Sequence, residues 1–271
     1  MLARRPLKAH DHKYSRGVVA VIAGSKRFPG ASLLTVGGAR RGGAGYVKFM
    51  NSHQSITDLV ISSYPDVAPI SSISEGKMDA LVVGPGSTTI RKIPQSIPVV
   101  LDSGALALAK TRTRGIADSN QIIVVTPHEG ELALLGFSLN HRSDSPKVRE
   151  RNRMEVAQRI ADELHVICVL KGHRTIIAAP QSSIQSPSNK KQFKSHYIDL
   201  VGGSELATAG SGDVLAGLIG AFLASWLPKN LEEALNVVAG AVNLHSRAGK
   251  EAANTHATVV ATDILESLAY C

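Results

Sequence analysis

Short, uninterrupted β-branched runs recur between helix-like stretches along this 271-residue chain, and that alternation leaves few folds open. Residues 18–22, 45–49, 79–83, 98–101, 121–125 and 165–170 are the runs. Strands buried on both faces read this way, and when helices separate them they form a parallel sheet covered on both sides. Residues 31–41 and 147–164 have helical character, the second with a charged outer face. Further on, 174–178 and 194–198 flank a polar stretch, 180–191, and read as a hairpin with a long tip. Helices are expected over 210–226, 231–247 and about 259–269. The fold class is therefore α/β with a mainly parallel central sheet. No repeat or composition break divides the chain, so one domain over 1–271 is expected, with 1–12 as a loose basic tail.

Open parallel sheets bind ligands beyond the C-terminal ends of their strands. Here those ends are Gly24-Ser25, Gly84-Pro85-Gly86, Asp102-Ser103-Gly104, the stretch from Thr126 to Glu131, and the stretch from Lys171 to Thr175. Each alone is an ordinary turn. Beside them stands Leu206-Ala-Thr-Ala-Gly210-Ser211-Gly212-Asp213, followed by the apolar run 214–227. Small residues feeding a helix start leave backbone N–H groups free, and with the helix dipole these attract an anion. Asp213 either caps that helix or takes a proton from a hydroxyl that attacks a phosphate. Taken alone, the loop favours the cap. Five polar or glycine-rich strand ends on the same sheet edge favour the base.

Composition narrows the partner. A formal charge of +8 favours anions, but the basic residues are dispersed and aromatics make up only 4% of the chain. No base-stacking stripe is present, so a phosphorylated small molecule is expected rather than nucleic acid. Two cysteines, Cys168 and Cys271, make neither a disulfide framework nor a metal site. The apolar run 214–227 is shorter than the ~20 residues a membrane span needs, and the N-terminus lacks the apolar core of a secretory signal. The expectation is a soluble, cytoplasmic protein without membrane partners.

Six blocks, in order, carry a family resemblance. They are His12-Lys13 with Gly17 and the 18–22 strand; Gly24-Ser25 with Pro29-Gly30-Ala31 and Arg41-Gly42-Gly43-Ala44-Gly45; Gly84-Pro85-Gly86; Thr126-Pro127-His128 with Glu131; Lys171-Gly172 with Thr175; and Ala207 to Gly217. In these the chain resembles the NAD(P)H-hydrate dehydratases, a branch of the ribokinase-like superfamily. It departs from their pattern at Gly104, where the family has a second Asp, at Gly203-Ser204 in place of Asn-Pro, and at Ser211 in place of Thr.

The resemblance implies a ribokinase-like fold and a repair reaction. Hydrated NADH or NADPH is phosphorylated on its ring hydroxyl, and loss of phosphate restores the cofactor. ADP is the expected donor, with ATP as the variant, and Mg2+ the expected ion. Carried over by residue, Asp213 is the base. Ala31, Gly86, His128 and Asp213 hold the hydrated dinucleotide. Lys171, Gly172, His173, Arg174, Thr175, Gly210, Ser211 and Gly212 hold the nucleotide, and Glu131 is the candidate metal ligand. A tetramer is expected, and no epimerase domain. The rivals are a kinase for a vitamin-precursor alcohol of the hydroxyethylthiazole or hydroxymethylpyrimidine type, and a non-catalytic nucleotide-binding module.

Overall fold

The computed structural model describes residues 2–87, 89–91, 93–112, 121–139, 145–184 and 195–271. Nine strands form one sheet in the order β3-β2-β1-β4-β5-β6-β7-β8-β9. They are β1 (Val18–Ile22), β2 (Tyr46–Met50), β3 (Ala68–Pro69), β4 (Ala80–Val83), β5 (Val99–Leu101), β6 (Ile123–Val125), β7 (Ile167–Leu170), β8 (Ile176–Ala178) and β9 (His196–Ile198). Pairing is parallel from β3 to β7 and antiparallel across β7-β8 and β8-β9. The strand order reverses beside β1, which opens a crevice between the ends of β1 and β4. The outer part of the hairpin tip expected over 180–191, from 185 onward, lies outside the described residues.

Alternate strand residues feed two separate cores, because successive side chains point to opposite faces. Val19, Val21, Phe49 and Val82 pack under α1 (Gly30–Arg41), α2 (Gln54–Ser63), α6 (Ser211–Trp226), α7 (Leu231–Thr255) and α8 (Ala261–Ser267). Ala20, Ile22, Leu81 and Val83 pack against the face that carries α3 (Leu108–Arg112), α4 (Leu132–Leu135) and α5 (Pro146–Leu164). A sheet apolar on both sides needs both layers. That is why its strands read as unbroken apolar runs.

Three expectations change. Residues 2–5 are not loose: Arg4 Nε donates to Arg41 O at 2.8 Å, its guanidinium also bonds Leu268 O, and Trp226 Nε1 donates to Ala3 O at 3.1 Å. Helix α7 runs on to Thr255, because Ala248, Gly249 and Ala252 continue its buried stripe. Finally, α2, β3, α3 and α4 appear where no element was expected. Of α2 only Ile56 and Val60 are buried, which leaves little apolar periodicity to read.

The contact that places the site is the crossing of α1 and α6. A Cβ at Gly217 would lie 1.9 Å from Thr35 O, and one at Gly38 would lie 2.2 Å from Val214 O. Backbone therefore meets backbone, and the start of α6 is pinned over the sheet edge. Gly217→Ala would gain about 1 kcal/mol of helix propensity on an isolated helix. Here the overpacking decides the sign: we expect a net loss of about 3 kcal/mol in urea unfolding, since neither backbone can move aside cheaply.

Candidate active site

Helix α6 starts without a side-chain cap. Gly210 takes the left-handed conformation at φ 90°, and only Ser211 N–H, to Thr208 O at 3.3 Å, and Val214 N–H, to Gly210 O at 3.1 Å, are paired there. Among the described residues the N–H groups of Gly212 and Asp213 have no hydrogen-bond partner. Asp213 stands in the first turn, and no side-chain cap is formed there. Burial pushes its carboxyl up to about 7; Asp102 and Glu131 add to the rise, and Lys171 opposes it. Two free donors and a reluctant carboxylate thus share one helix start.

Lys171 supplies the positive charge opposite. It leaves the end of β7, and its N–H donates to Pro127 O at 2.8 Å, which extends the parallel pairing to a His128–Lys171 bridge. Its Nζ lies 2.7 Å from Asp102 Oδ1 and 3.7 Å from Glu131 Oε2. Thr126 donates its hydroxyl to the same Asp102 oxygen at 2.6 Å. Burial alone would lower the Lys171 pKa, but Asp102, then Glu131 and Asp213, hold it above the ordinary lysine range. A Cβ at Gly212 would stand 3.1 Å from Nζ, so the ammonium sits against the helix start.

These groups line a cavity of about 570 Å³, together with His128, Gly172, His173, Thr175 and the loop 203–213. The expected nucleotide residues Lys171, Gly172, His173, Thr175, Gly210, Ser211 and Gly212 thus share one cavity with Asp213, His128 and Glu131. Arg174 does not. It pairs with Glu150 at 3.0 Å and lines an adjoining cavity of about 600 Å³ with Glu129 and Arg153. That cavity, though slightly larger, lacks Asp213 and the free α6 donors. Ala31 and Gly86 also stand apart from the 570 Å³ cavity but next to each other, in the β1–β4 crevice. A Cβ at Gly86 would lie 2.9 Å from Ala31 Cβ.

Three residues do local work that their sequence did not announce. Gly172, which lines the cavity, also leaves room for Arg153: a Cβ there would lie 2.3 Å from Arg153 Nη2. Arg153 donates to the carbonyls of Lys171 at 3.1 Å and Arg174 at 2.8 Å, clamping the loop. Glu131 Oε2 accepts the His128 N–H at 2.9 Å, while His128 Nδ1 accepts from Gly130 N–H at 3.0 Å, a reciprocal cap. Gly104 faces the 84–87 turn so closely that a Cβ would lie 2.9 Å from Ser87 Cα. An aspartate there, as in the family pattern, would displace that turn.

For a magnesium ion, the described residues contain no group of three His, Cys, Asp or Glu able to hold a metal. One oxygen of Glu131 is already used, and the Lys171 ammonium stands beside it. Asp102 was visible in the sequence only as a strand end and Thr126 as a strand end in a matched block, while Arg153 and His245 gave no functional signal.

An α/β protein with free N–H donors at a helix start beside a raised carboxylate has the arrangement that handling a phosphate needs. A family model described as NAD(P)H-hydrate dehydratase matches residues 19–269, and the chain belongs to that family. It is 34% identical over 236 residues to the bifunctional NAD(P)H-hydrate repair enzyme Nnr of Mycobacterium tuberculosis, covering 83% of this chain and 45% of that protein. The chain thus spans about half the length of the bifunctional relatives. It is 32% identical over 238 residues to the ADP-dependent (S)-NAD(P)H-hydrate dehydratase of Neisseria meningitidis serogroup B, covering 82% of this chain and 74% of that one. The crystal structure of the ADP/ATP-dependent NAD(P)H-hydrate dehydratase from Bacillus subtilis, co-crystallised with ATP and Mg2+, superposes with a TM-score of 0.72. That match has 26% identity and covers 97% of this chain and 91% of that one. The fold is ribokinase-like. A hydroxyethylthiazole kinase from Pyrococcus horikoshii, with a TM-score of 0.57 and 16% identity, shares the fold alone.

The ion pair gives a stability test. Lys171→Met leaves Asp102 buried without its cation, and we expect a loss of about 3 kcal/mol in urea unfolding. Adding Asp102→Asn to that variant should recover most of the loss, because the stranded charge is gone.

Proposed function

We propose that this chain is an ADP-dependent (S)-NAD(P)H-hydrate dehydratase. The observation that carries the reading is Asp213: a carboxyl raised to about 7 beside two N–H donors unpaired among the described residues and the Lys171 ammonium. A carboxylate beside an anion site needs a task of its own, and proton abstraction is one that this environment suits. Membership in the dehydratase family and the ADP-dependent relatives support the donor and the substrate class.

In this mechanism the ring hydroxyl of the hydrated nicotinamide attacks the terminal phosphorus of ADP. Asp213 takes the hydroxyl proton, and the bond to AMP breaks. The Gly212 and Asp213 N–H groups and Lys171 face the charge that builds on the transferring phosphoryl. Hydroxide is a poor leaving group, but the phosphate ester leaves with its bonding pair. Loss of a proton from the neighbouring ring carbon then restores the double bond. The products are NADH or NADPH, AMP and inorganic phosphate.

Mg2+ fits as an ion carried by the nucleotide phosphates, with one or two carboxylates as its protein ligands. Among the carboxylates, Glu131 is the candidate through the oxygen not used in its cap. When bound, the ion would neutralise phosphate charge. Gly210, Ser211 and the Lys171–Thr175 loop would hold the nucleotide. Ala31, Gly86 and His128 would hold the dinucleotide, whose length suits two sites set apart along one sheet edge. A cytoplasmic, tetrameric, single-domain enzyme goes with this reading. Among the described residues no helix is long and apolar enough to cross a membrane.

The test offers purified protein the hydrate with ADP and with ATP separately and follows recovery of NADH. ADP should support turnover. A stable phosphorylated alcohol formed from a thiazole or pyrimidine substrate, with no NADH restored, would instead make the chain a vitamin-precursor kinase. Asp213→Asn should cut turnover by about 1,000-fold while the Kd for ADP stays within about 3-fold, because the base is lost and the anion site is kept. Asp213 acts only when ionised, so kcat/KM should climb as pH rises and level off above about 7. Asp102→Asn removes a negative neighbour and should move that limb to lower pH.

A further inference from the structure

We propose that His245 is a positioning residue for the reaction, holding the first helical residue of α6 through the Ser211 hydroxyl so that the neighbouring donors and Asp213 face the substrate. This rests on the dehydratase reading above. His245 lies on α7, only 4% exposed, and its Nε2 stands 3.3 Å from Ser211 Oγ. It lines the 570 Å³ cavity, as Lys171 does. Gly210 has no side chain to cap α6, so beyond the Ser211–Thr208 and Val214–Gly210 backbone bonds the first turn gains this side-chain tether from another helix.

The local chemistry suits a fixed neutral partner. Burial drives the His245 pKa down to about 4; hydrogen bonding to the Ser211 backbone and the charge of Asp199 oppose this, while Lys171 adds to it. A neutral imidazole keeps one nitrogen able to match a hydroxyl, as donor or as acceptor. A charged one would add a second cation beside Lys171. The adjacent residue works the same way. Ser246 Oγ donates to Asp199 Oδ2 at 2.6 Å, and that oxygen also accepts the Gly202 N–H at 3.0 Å. Two consecutive α7 residues therefore anchor the 199–202 loop, which leads into the cavity lining at Gly203, and the start of α6. Asn243, one turn earlier on the same helix, points its amide at Asp199 as well, at 3.5 Å.

A structural histidine and a positioning one differ in what their loss changes. The His245→Leu, His245→Gln and Ser211→Ala variants and the Leu/Ala double variant are assayed for NADH recovery with ADP. A displacement of the donors by about 1 Å costs on the order of 100-fold in rate. His245→Leu should therefore lower kcat by about 30-fold with the KM for ADP within about 3-fold. Ser211→Ala should lower kcat similarly, and the double variant should be little worse than either single, because both remove one interaction. His245→Gln, which can still bond the hydroxyl, should recover most of the rate.

Wild-type kcat in His245→Leu, or losses that multiply in the double variant, would overturn the proposal. A second readout does not depend on turnover. The nitrogen-15 signal of the His245 imidazole should shift in Ser211→Ala, and an unmoved signal would also overturn it. If the unaltered protein fails to restore NADH, the dehydratase reading falls, and the imidazole signal still decides whether His245 holds Ser211.

Discussion

Helices α1 and α6 cross so closely that glycine is required on each side, at Gly38 and Gly217. Everything at the site follows from where that contact leaves the first turn of α6. Its free N–H groups are not satisfied by a cap, since Gly210 has no side chain, and among the described residues they face the cavity without a protein partner. A helix start held in that position is an electrostatic fixture, and the surrounding residues are organised around it. Lys171 is drawn toward it by three carboxylates, and Asp213 is kept from ionising early by the same burial that shelters the donors.

The balance among those charges is close. Lys171 carries one positive charge among Asp102, Glu131 and Asp213. Asp102 is committed to it at 2.7 Å and shares the same oxygen with Thr126. Glu131 is committed to the backbone of His128. Of these three carboxylates Asp213 has no hydrogen-bond partner among the described residues, and burial, with Asp102 and Glu131 nearby, raises its pKa. A group in that state can accept a proton near neutral pH, and the approach of a phosphate would favour its protonated form further. The arrangement fits a base whose proton is taken from an incoming hydroxyl.

Much of this was legible in the chain. The apolar runs located the parallel strands because a doubly covered sheet leaves no polar face to interrupt them. The small residues before Asp213 located the helix start, because side chains there would block a ligand. What was not legible depended on partners distant in sequence. Gly172 looked like room for a ligand, yet it also leaves room for Arg153 from α5. Arg174 sits between two matched loop residues, yet alternation turns it toward Glu150 and the adjoining cavity. His245 lies inside an apolar helical stretch, where nothing marks one polar residue as facing Ser211. The absence of a second aspartate at 104 read only as a departure from the family pattern, whereas the turn at Ser87 shows a steric reason for glycine there.

The central claim is that the ring hydroxyl becomes a phosphate ester before it leaves. Hydrate carrying oxygen-18 in that hydroxyl, turned over with ADP, tests it directly. The account predicts that the label is found in inorganic phosphate, one atom for each NADH restored. Label released as water, with NADH restored all the same, would contradict it.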